Sequence, residues 1–376
     1  MQVYLVGGAV RDMIMGVKSK DYDYVIVGAS PADISQLQKD GFKQVGADFP
    51  VFLDPINGHE YALARTERKV GPGYSGFECQ TENVTLEQDL QRRDLTMNAI
   101  AWDARKSEYV DPYGGQEDIK NKIIRHVSAA FAEDPVRVLR VARFAARYGF
   151  HVHESTNALM QQMVKNGEVN NLQRERVMQE IVKCVDEGSD PVTFVKVLTR
   201  CGAWQVLFPE IPAPNKEHQA LIKSATTMCA TVNTMSYFTA ALFSVLSTEE
   251  IEKIQARMVF PKQYFRFAST AAKSHKILGT FNKLKADQVV SFFDEHSIQN
   301  KGGEGFLMEL NNFAYCAGDV TRAMDDYILH MYDLYSSVDA ATLIEEAKEA
   351  GEPLVGRAIR DKLYEIRVQK IKEVIG

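Results

Sequence analysis

The chain has 376 residues, more than one ordinary core of ~100–200 residues absorbs, so two to four modules are expected. With 45% hydrophobic and 25% charged residues it has the composition of a globular protein, and 24 Gly with 12 Pro exclude a collagen-like or low-complexity chain. A net charge of −6 excludes a uniformly cationic surface, so any nucleic-acid contact has to come from a local basic stripe.

No apolar run approaches the ~20 residues of a membrane helix, and Met1–Val6 lacks the basic and apolar regions of a signal peptide. Cys79, Cys184, Cys201, Cys229 and Cys316 are far apart and include no C-x-x-C, which argues against a zinc site or a disulfide scaffold. A reducing, cytoplasmic setting is expected.

Val3–Val6 reads as a strand that meets Gly7-Gly8 and then a helical stretch, Ala9–Met15. Glycines there let backbone N–H groups approach a phosphate, and Arg11 could pair a phosphate oxygen. An ordinary strand–turn–helix has the same appearance, and the G-x-G-x-x-G of a dinucleotide fold is absent. Tyr22–Val27 is the next strand, headed by Asp21 and Asp23. Residues two apart on a strand point the same way, so the two carboxylates project together. A divalent cation relieves their repulsion, although two surface acids would look alike. Pro31–Lys39 is helical, Val51–Leu53 is a strand, and Glu60–Ala64 is another that offers Glu60 as a third carboxylate. Gly71–Gly76 is a glycine-rich loop, and Ile100–Trp102 and Tyr109–Val110 are further strands.

Gln91–Ile100 contains Arg93, Asp94 and Asn98 within a turn or two of helix. A cation, an acceptor and an amide so placed suit ribose and phosphate, or equally a capped helix with local ion pairs. Asp111–Gly115 is a turn cluster able to act as a hinge. From about Ser128 helical spacing takes over, as in Pro135–Tyr148, Arg174–Val185, Ser236–Leu246 and Pro353–Ile375, with breaks at Pro209–Pro214 and Asn300–Gly303.

Glu133 and Asp134 precede Pro135 at a helix start, where acids favour the macrodipole. Arg137, Arg140, Arg143 and Arg147 follow on one face, with Leu139, Ala142 and Ala146 expected in the core. The stripe has no acidic partner in its own sequence after Asp134, so an anionic ligand competes evenly with a solvated face. Near the C-terminus Arg357, Arg360, Lys362, Arg367, Lys370 and Lys372 form a basic segment, a solvated helix surface or a local stripe for nucleic-acid phosphates. None of the eight His stands beside an Asp as in an HD-type phosphohydrolase, and G-x-x-x-x-G-K-[ST] is missing.

In this order, Leu5–Asp12, Asp21–Asp23, Arg65–Lys69, Arg92–Ala99, Asp111–Tyr113, Glu133–Arg147 and Arg174–Arg176 resemble the class II, bacterial-type tRNA nucleotidyltransferases, the CCA-adding enzymes. The resemblance covers roughly residues 1–210 and is faint beyond 215. It implies an α+β fold: a nucleotidyltransferase head of polymerase-beta type with a mixed sheet at 1–125, a helical neck at 126–210, a body at 211–300 and a tRNA-binding tail at 301–376.

The resemblance further implies that Asp21 and Asp23 hold Mg²⁺ with Glu60 as a further carboxylate, and that Gly8 and Arg11 contact the triphosphate. Arg93, Asp94 and Asn98 would bind ribose and phosphates. Glu133, Asp134 and Arg137 match the amino-acid template that reads the Watson–Crick edge of CTP or ATP, with Arg140 and Arg143 supporting the same nucleotide. Gly71–Gly76 falls where the family has a loop linked to the switch from C to A. The implied activity is addition of CCA to the tRNA 3′ end from CTP and ATP, with release of pyrophosphate. A CC-only or A-only enzyme is the nearest alternative.

Two departures sharpen the comparison. Ser236–Phe243 lies where close relatives often carry an HD phosphohydrolase domain, and it has no metal ligands, so that activity is expected to be absent. Poly(A) polymerases usually carry a basic pair where this chain has Gly46-Ala47-Asp48-Phe49, which favours the tRNA enzyme. An inactive RNA-binding relative is the poorest reading, since the metal and template residues are all present.

Overall fold

The computed structural model describes residues 1–46, 51–69, 77–228, 234–258, 260–351 and 354–375. The loop Gly71–Gly76, the Ala47–Phe49 part of the segment compared with poly(A) polymerases, and Cys229 lie outside the described residues. The chain forms two compact units, Met1–Pro209 and Glu210–Gly376, which divide inside the expected Pro209–Pro214 break.

The first unit starts with β1 (Gln2–Val6), α1 (Gly8–Ile14), β2 (Asp23–Val27) and α2 (Pro31–Lys39). The start of α2 is fixed by a capping box between Ser30 and Asp33, with proline in its first turn. There follow β3 (Lys43–Val45), β4 (Val51–Leu53), β5 (Glu60–Leu63), β6 (Thr66–Lys69), β7 (Phe77–Gln80), α3 (Leu86–Gln91), β8 (Ala101–Asp103) and β9 (Glu108–Val110). Seven strands make one mixed sheet in the order β3-β4-β5-β2-β1-β8-β9, in which β2 and β5 run parallel and pair Asp23 with Glu60. Tyr4, Val6, Val25, Leu90, Ala99 and Ala101 form its core.

The remainder of the unit is helical: α4 (Gly115–Lys120), the short β10 (Ile123–Ile124), α5 (Val136–Tyr148), β11 (His151–Val152), α6 (Glu154–Lys165), α7 (Arg174–Asp186), α8 (Pro191–Cys201) and α9 (Ala203–Leu207). Helix α5 buries Val138, Leu139, Val141, Ala142, Ala145 and Ala146, and ends at Gly149 in the left-handed conformation. That core includes the expected Leu139, Ala142 and Ala146. Gly115 fixes the approach of α4 to the head. A Cβ there would collide with the Thr96 carbonyl and lie 2.7 Å from the Ile100 side chain, so α4 clamps the turn that carries Asn98.

The second unit consists of α10 (Lys216–Met228), α11 (Thr234–Phe243), α12 (Thr248–Met258), α13 (Lys262–Leu278), α14 (Ala286–Glu295), α15 (Ile298–Lys301), α16 (Glu304–Cys316), α17 (Arg322–Ser336), α18 (Ala340–Glu349) and α19 (Arg357–Ile375). Helix α11, which includes Ser236–Phe243, is buried along its length from Met235, and its Tyr237 ring lies 5.0 Å from that of Phe267 and 6.2 Å from that of Phe313; Phe281 and Phe293 pack against each other in a second aromatic group. The C-terminal basic segment needs one correction. Arg367 is buried: its guanidinium lies 3.9 Å from the Tyr335 ring centroid and donates to the Val338 carbonyl at 2.9 Å, so it belongs to the packing and not to a surface stripe.

Candidate active site

Sheet and helices of the first unit enclose a cavity of about 800 Å³, within the range of small-molecule sites. Ten of its lining residues are Arg or Lys and five are Asp or Glu, a formal excess of five positive charges in a chain of net charge −6. Such a cavity favours a polyanion.

One edge is the head of β2. Asp23 opens the strand, Glu60 is its registered partner on β5, and both line the cavity. Asp21 lies ahead of the strand, in the segment leading to it, so the strand geometry expected of both residues holds for Asp23 alone. Partial removal from water, joined by the Asp21 charge, raises the Asp23 pKa against the pull of Arg93 and His59. Excess negative charge at this edge suits a cation, and carboxylate oxygens suit a hard divalent ion. Among the described residues no group of three His, Cys, Asp or Glu is placed to hold a metal ion.

The glycine turn comes next. Gly7 has φ +72°, a conformation that favours glycine, and a Cβ on it would meet Arg93 Nη1 at 3.0 Å and press on the guanidinium. Arg93 is held by Asp89 at 3.1 Å, and its buried Nε has no partner. Asp89 was not singled out in the sequence, although its spacing of three and four residues from Arg92 and Arg93 is a helical pairing signal. It is fully buried and also accepts from the Arg65 backbone N–H at 3.2 Å; burial would raise its pKa, but the two arginines prevail and lower it.

A hydrogen-bonded chain crosses the cavity wall from α1 to α5. Arg11, on the second turn of α1, is buried. It donates to Asp12 Oδ1 at 2.7 and 3.0 Å and to Asn98 Oδ1 at 2.7 Å, under the rings of Tyr148 and Phe144. Asn98, on a 3-10 turn after α3, donates to Asp94 Oδ1 at 3.1 Å, and Arg140 Nε donates to Asp94 Oδ2 at 2.7 Å. Burial would raise the Asp94 pKa, yet Arg140, Asn98 and Arg137 overcome it and hold the carboxyl at about 2.

The arginine stripe of α5 therefore has acidic partners after all, supplied by distant segments. Arg140 meets Asp94, buried Arg143 meets Glu180 at 2.7 Å and Glu187 at 3.3 Å, and Arg147 shares Glu187 at 3.1 Å. Asp134 lines the cavity and receives Arg176 Nη2 at 3.0 Å and the Val136 N–H at 3.0 Å. Arg137 donates to the carbonyls of Ala130 and Arg92, both at 2.8 Å. Glu133 is half-buried and is not among the lining residues. Lining residues outside the sequence candidates include Gln179 and Lys183 of α7, which had no local signal because α7 meets the cavity through tertiary packing.

Comparison with known proteins now bears on this cavity. Residues 3–125 match the family model described as poly A polymerase head domain, and residues 149–213 match one described as probable RNA and SrmB-binding site of polymerase A. The multifunctional CCA protein of Shewanella denitrificans is 39% identical, over 99% of this chain and 97% of that protein. The chain belongs to the CCA-adding tRNA nucleotidyltransferase family.

Among solved structures, the CCA-adding enzyme with ATP has a TM-score of 0.67 at 20% identity, over 98% of this chain and 85% of that one. The Thermotoga maritima CCA-adding enzyme complexed with tRNA has a TM-score of 0.63 at 20% identity, over 99% and 87%. The fold is thus the one expected of CCA-adding enzymes, a polymerase-beta-like head followed by helices. Family membership also implies a divalent metal. No helix of the described residues is long and apolar enough to cross a membrane.

Proposed function

We propose that the chain adds CCA to the 3′ end of tRNA, taking CTP and then ATP and releasing pyrophosphate, with the head at 1–125, neck at 126–210, body at 211–300 and tail at 301–376, in the cytoplasm. The observation that carries this reading is a single cavity combining the Asp23 edge, a surplus of cations and the Asp134–Arg137 edge.

Arg93, and the two N–H groups of Arg11 left after its three bonds, attract the triphosphate. The Gly7-Gly8 turn lets the phosphates approach the α1 N-terminus without a Cβ in the way. Asp94 stays ionised and accepts three hydrogen bonds, from Leu95, Asn98 and Arg140. A carboxylate offers about four acceptor sites, so one remains on Oδ2 for a ribose hydroxyl.

Asp134 accepts from the exocyclic amine of C or A, while free N–H groups of Arg137 donate to the adjacent ring nitrogen. G and U present other patterns and leave buried groups unpaired. Arg176 and the carbonyls of Ala130 and Arg92 hold these two side chains in place. Asp21 and Asp23 would hold a divalent cation, Mg²⁺ by the hardness of the donors, and that ion would supply charge neutralisation at the phosphates and a lower pKa for the 3′-hydroxyl.

Asp21→Ala/Asp23→Ala is expected to abolish nucleotide incorporation while tRNA binding persists. Undiminished incorporation overturns the assignment of the metal edge.

A further inference from the structure

Helix α13 carries Lys262, Arg266, Lys273 and Lys276 and no carboxylate in its 17 residues. At 100° per residue these four fall within an arc of about 80°, on a stripe about 21 Å long from first to last. All four are exposed, while Phe267, Ala271, Ser274 and Leu278 fill the opposite face. Like charges three and four residues apart oppose helix formation, so the arrangement has a cost that nothing within the helix offsets.

A fifth cation is brought alongside by the backbone of α15. Ser297 has φ 51°, and Gly302 and Gly303 have φ 129° and 63°, so the short helix between them is bracketed by left-handed residues. It is tied to α13 by two hydrogen bonds: Arg266 Nη2 donates to the Asn300 carbonyl at 3.0 Å, and Lys301 Nζ to Thr270 Oγ1 at 2.8 Å. Among the described residues none of these five cations makes an ion pair. Two cations of the C-terminal basic segment differ in this respect, since Arg357 meets Asp361 and Lys362 meets Glu365 on their own helix. The crowding registers electrostatically as well. Burial, then Arg266 and Lys273, lowers the Lys301 pKa; burial, then Lys301 and Lys273, lowers that of nearby His296 to about 4.

We infer that the outer face of α13, flanked by Lys301, binds the phosphodiester backbone of the RNA substrate. This rests on the reading of the chain as a tRNA nucleotidyltransferase and places an RNA contact in the second unit, on a helix outside the C-terminal basic segment. A row of phosphates supplies the negative charge that the protein itself withholds, and an extended stripe fits a backbone better than a single small anion.

The test is tRNA binding by the full chain against salt concentration, for wild type, Lys273→Glu/Lys276→Glu, Lys273→Gln/Lys276→Gln, and the control Lys39→Glu/Lys120→Glu, which changes net charge equally. The glutamate stripe variant is expected to bind at least 10-fold more weakly at 0.1 M salt. Its slope of log K against log salt should fall by about two, near one per lost phosphate contact, with the KM for CTP unchanged at saturating tRNA. The glutamine variant should shift the same way by less, with wild-type thermal unfolding. Wild-type affinity and slope in both stripe variants, or an equal loss in the control, overturns the stripe. Wild type that neither binds nor extends tRNA overturns the proposed function instead.

Discussion

Arg140→Met tests the energetics of the cavity wall. The substitution keeps most of the apolar stem and removes the guanidinium that lies 2.7 Å from Asp94 Oδ2. In the native protein Asp94 ionises at about 2 instead of 3.8, which contributes roughly 2 kcal/mol at neutral pH. This stability is fully present above pH 3.8 and is lost as pH falls through about 2. Without Arg140 the largest influence that lowers the Asp94 pKa is gone and burial is opposed only by Asn98 and Arg137, so the folded-state pKa rises and the unpaired carboxylate costs stability at pH 7. Breaking a buried pair costs about 3–5 kcal/mol; Arg140 is one-third exposed, so about 3 kcal/mol is expected. The gap to wild type should narrow as pH drops from 7 to 4 and the variant's Asp94 takes up a proton.

Both tryptophans, Trp102 and Trp204, lie in the first unit, so tryptophan fluorescence during urea unfolding reports on it alone. The expected shift at pH 7 is about 1 M urea, for an m-value near 2.5 kcal/mol/M. A loss under about 1 kcal/mol, or one of equal size at both pH values, refutes the assignment of Asp94 as an ion paired to Arg140.

Gly7→Ala should destabilise the first unit by about 1–2 kcal/mol and raise the KM for both nucleotides, because the positive φ and the displaced Arg93 act together; unchanged nucleotide KM values separate Gly7 from the triphosphate. Arg143→Leu should cost about 3 kcal/mol by stranding Glu180, and Arg143→Leu/Glu180→Leu should recover most of it; no recovery in thermal unfolding means the pair is not the source. Arg137→Ala should let GTP and UTP compete in single-nucleotide incorporation, and wild-type rejection of both contradicts the template role.

The sequence revealed most where period and punctuation agree. Strand β1, the Gly7-Gly8 turn, Pro31 after Ser30 and the buried face of α5 all carry local signals that tertiary packing leaves in force. The β6–β7 hairpin was not legible because the Thr66–Lys69 strand is wholly polar and shows no apolar alternation. The partners of the α5 arginines lie 46, 37 and 44 residues away, so a stripe that looked unneutralised locally is largely paired in the fold. Arg367 misled for the opposite reason: an Arg in a basic helix reads as solvated, and only Tyr335 and the Val338 carbonyl bring it inside. The candidates for nucleotide contact were readable as residue types, but the chain linking Arg11, Asn98, Asp94 and Arg140 required the structure.

The most direct measurement is incorporation on three tRNA transcripts, lacking CCA, lacking CA or lacking only the final A, with each single nucleotide and with CTP plus ATP. The expected result is growth of the first transcript to a complete CCA end, one nucleotide gained by the third with ATP alone, and refusal of GTP and UTP. A stop after CC, extension of the CC-ended transcript alone, or long A tails on any RNA would contradict it.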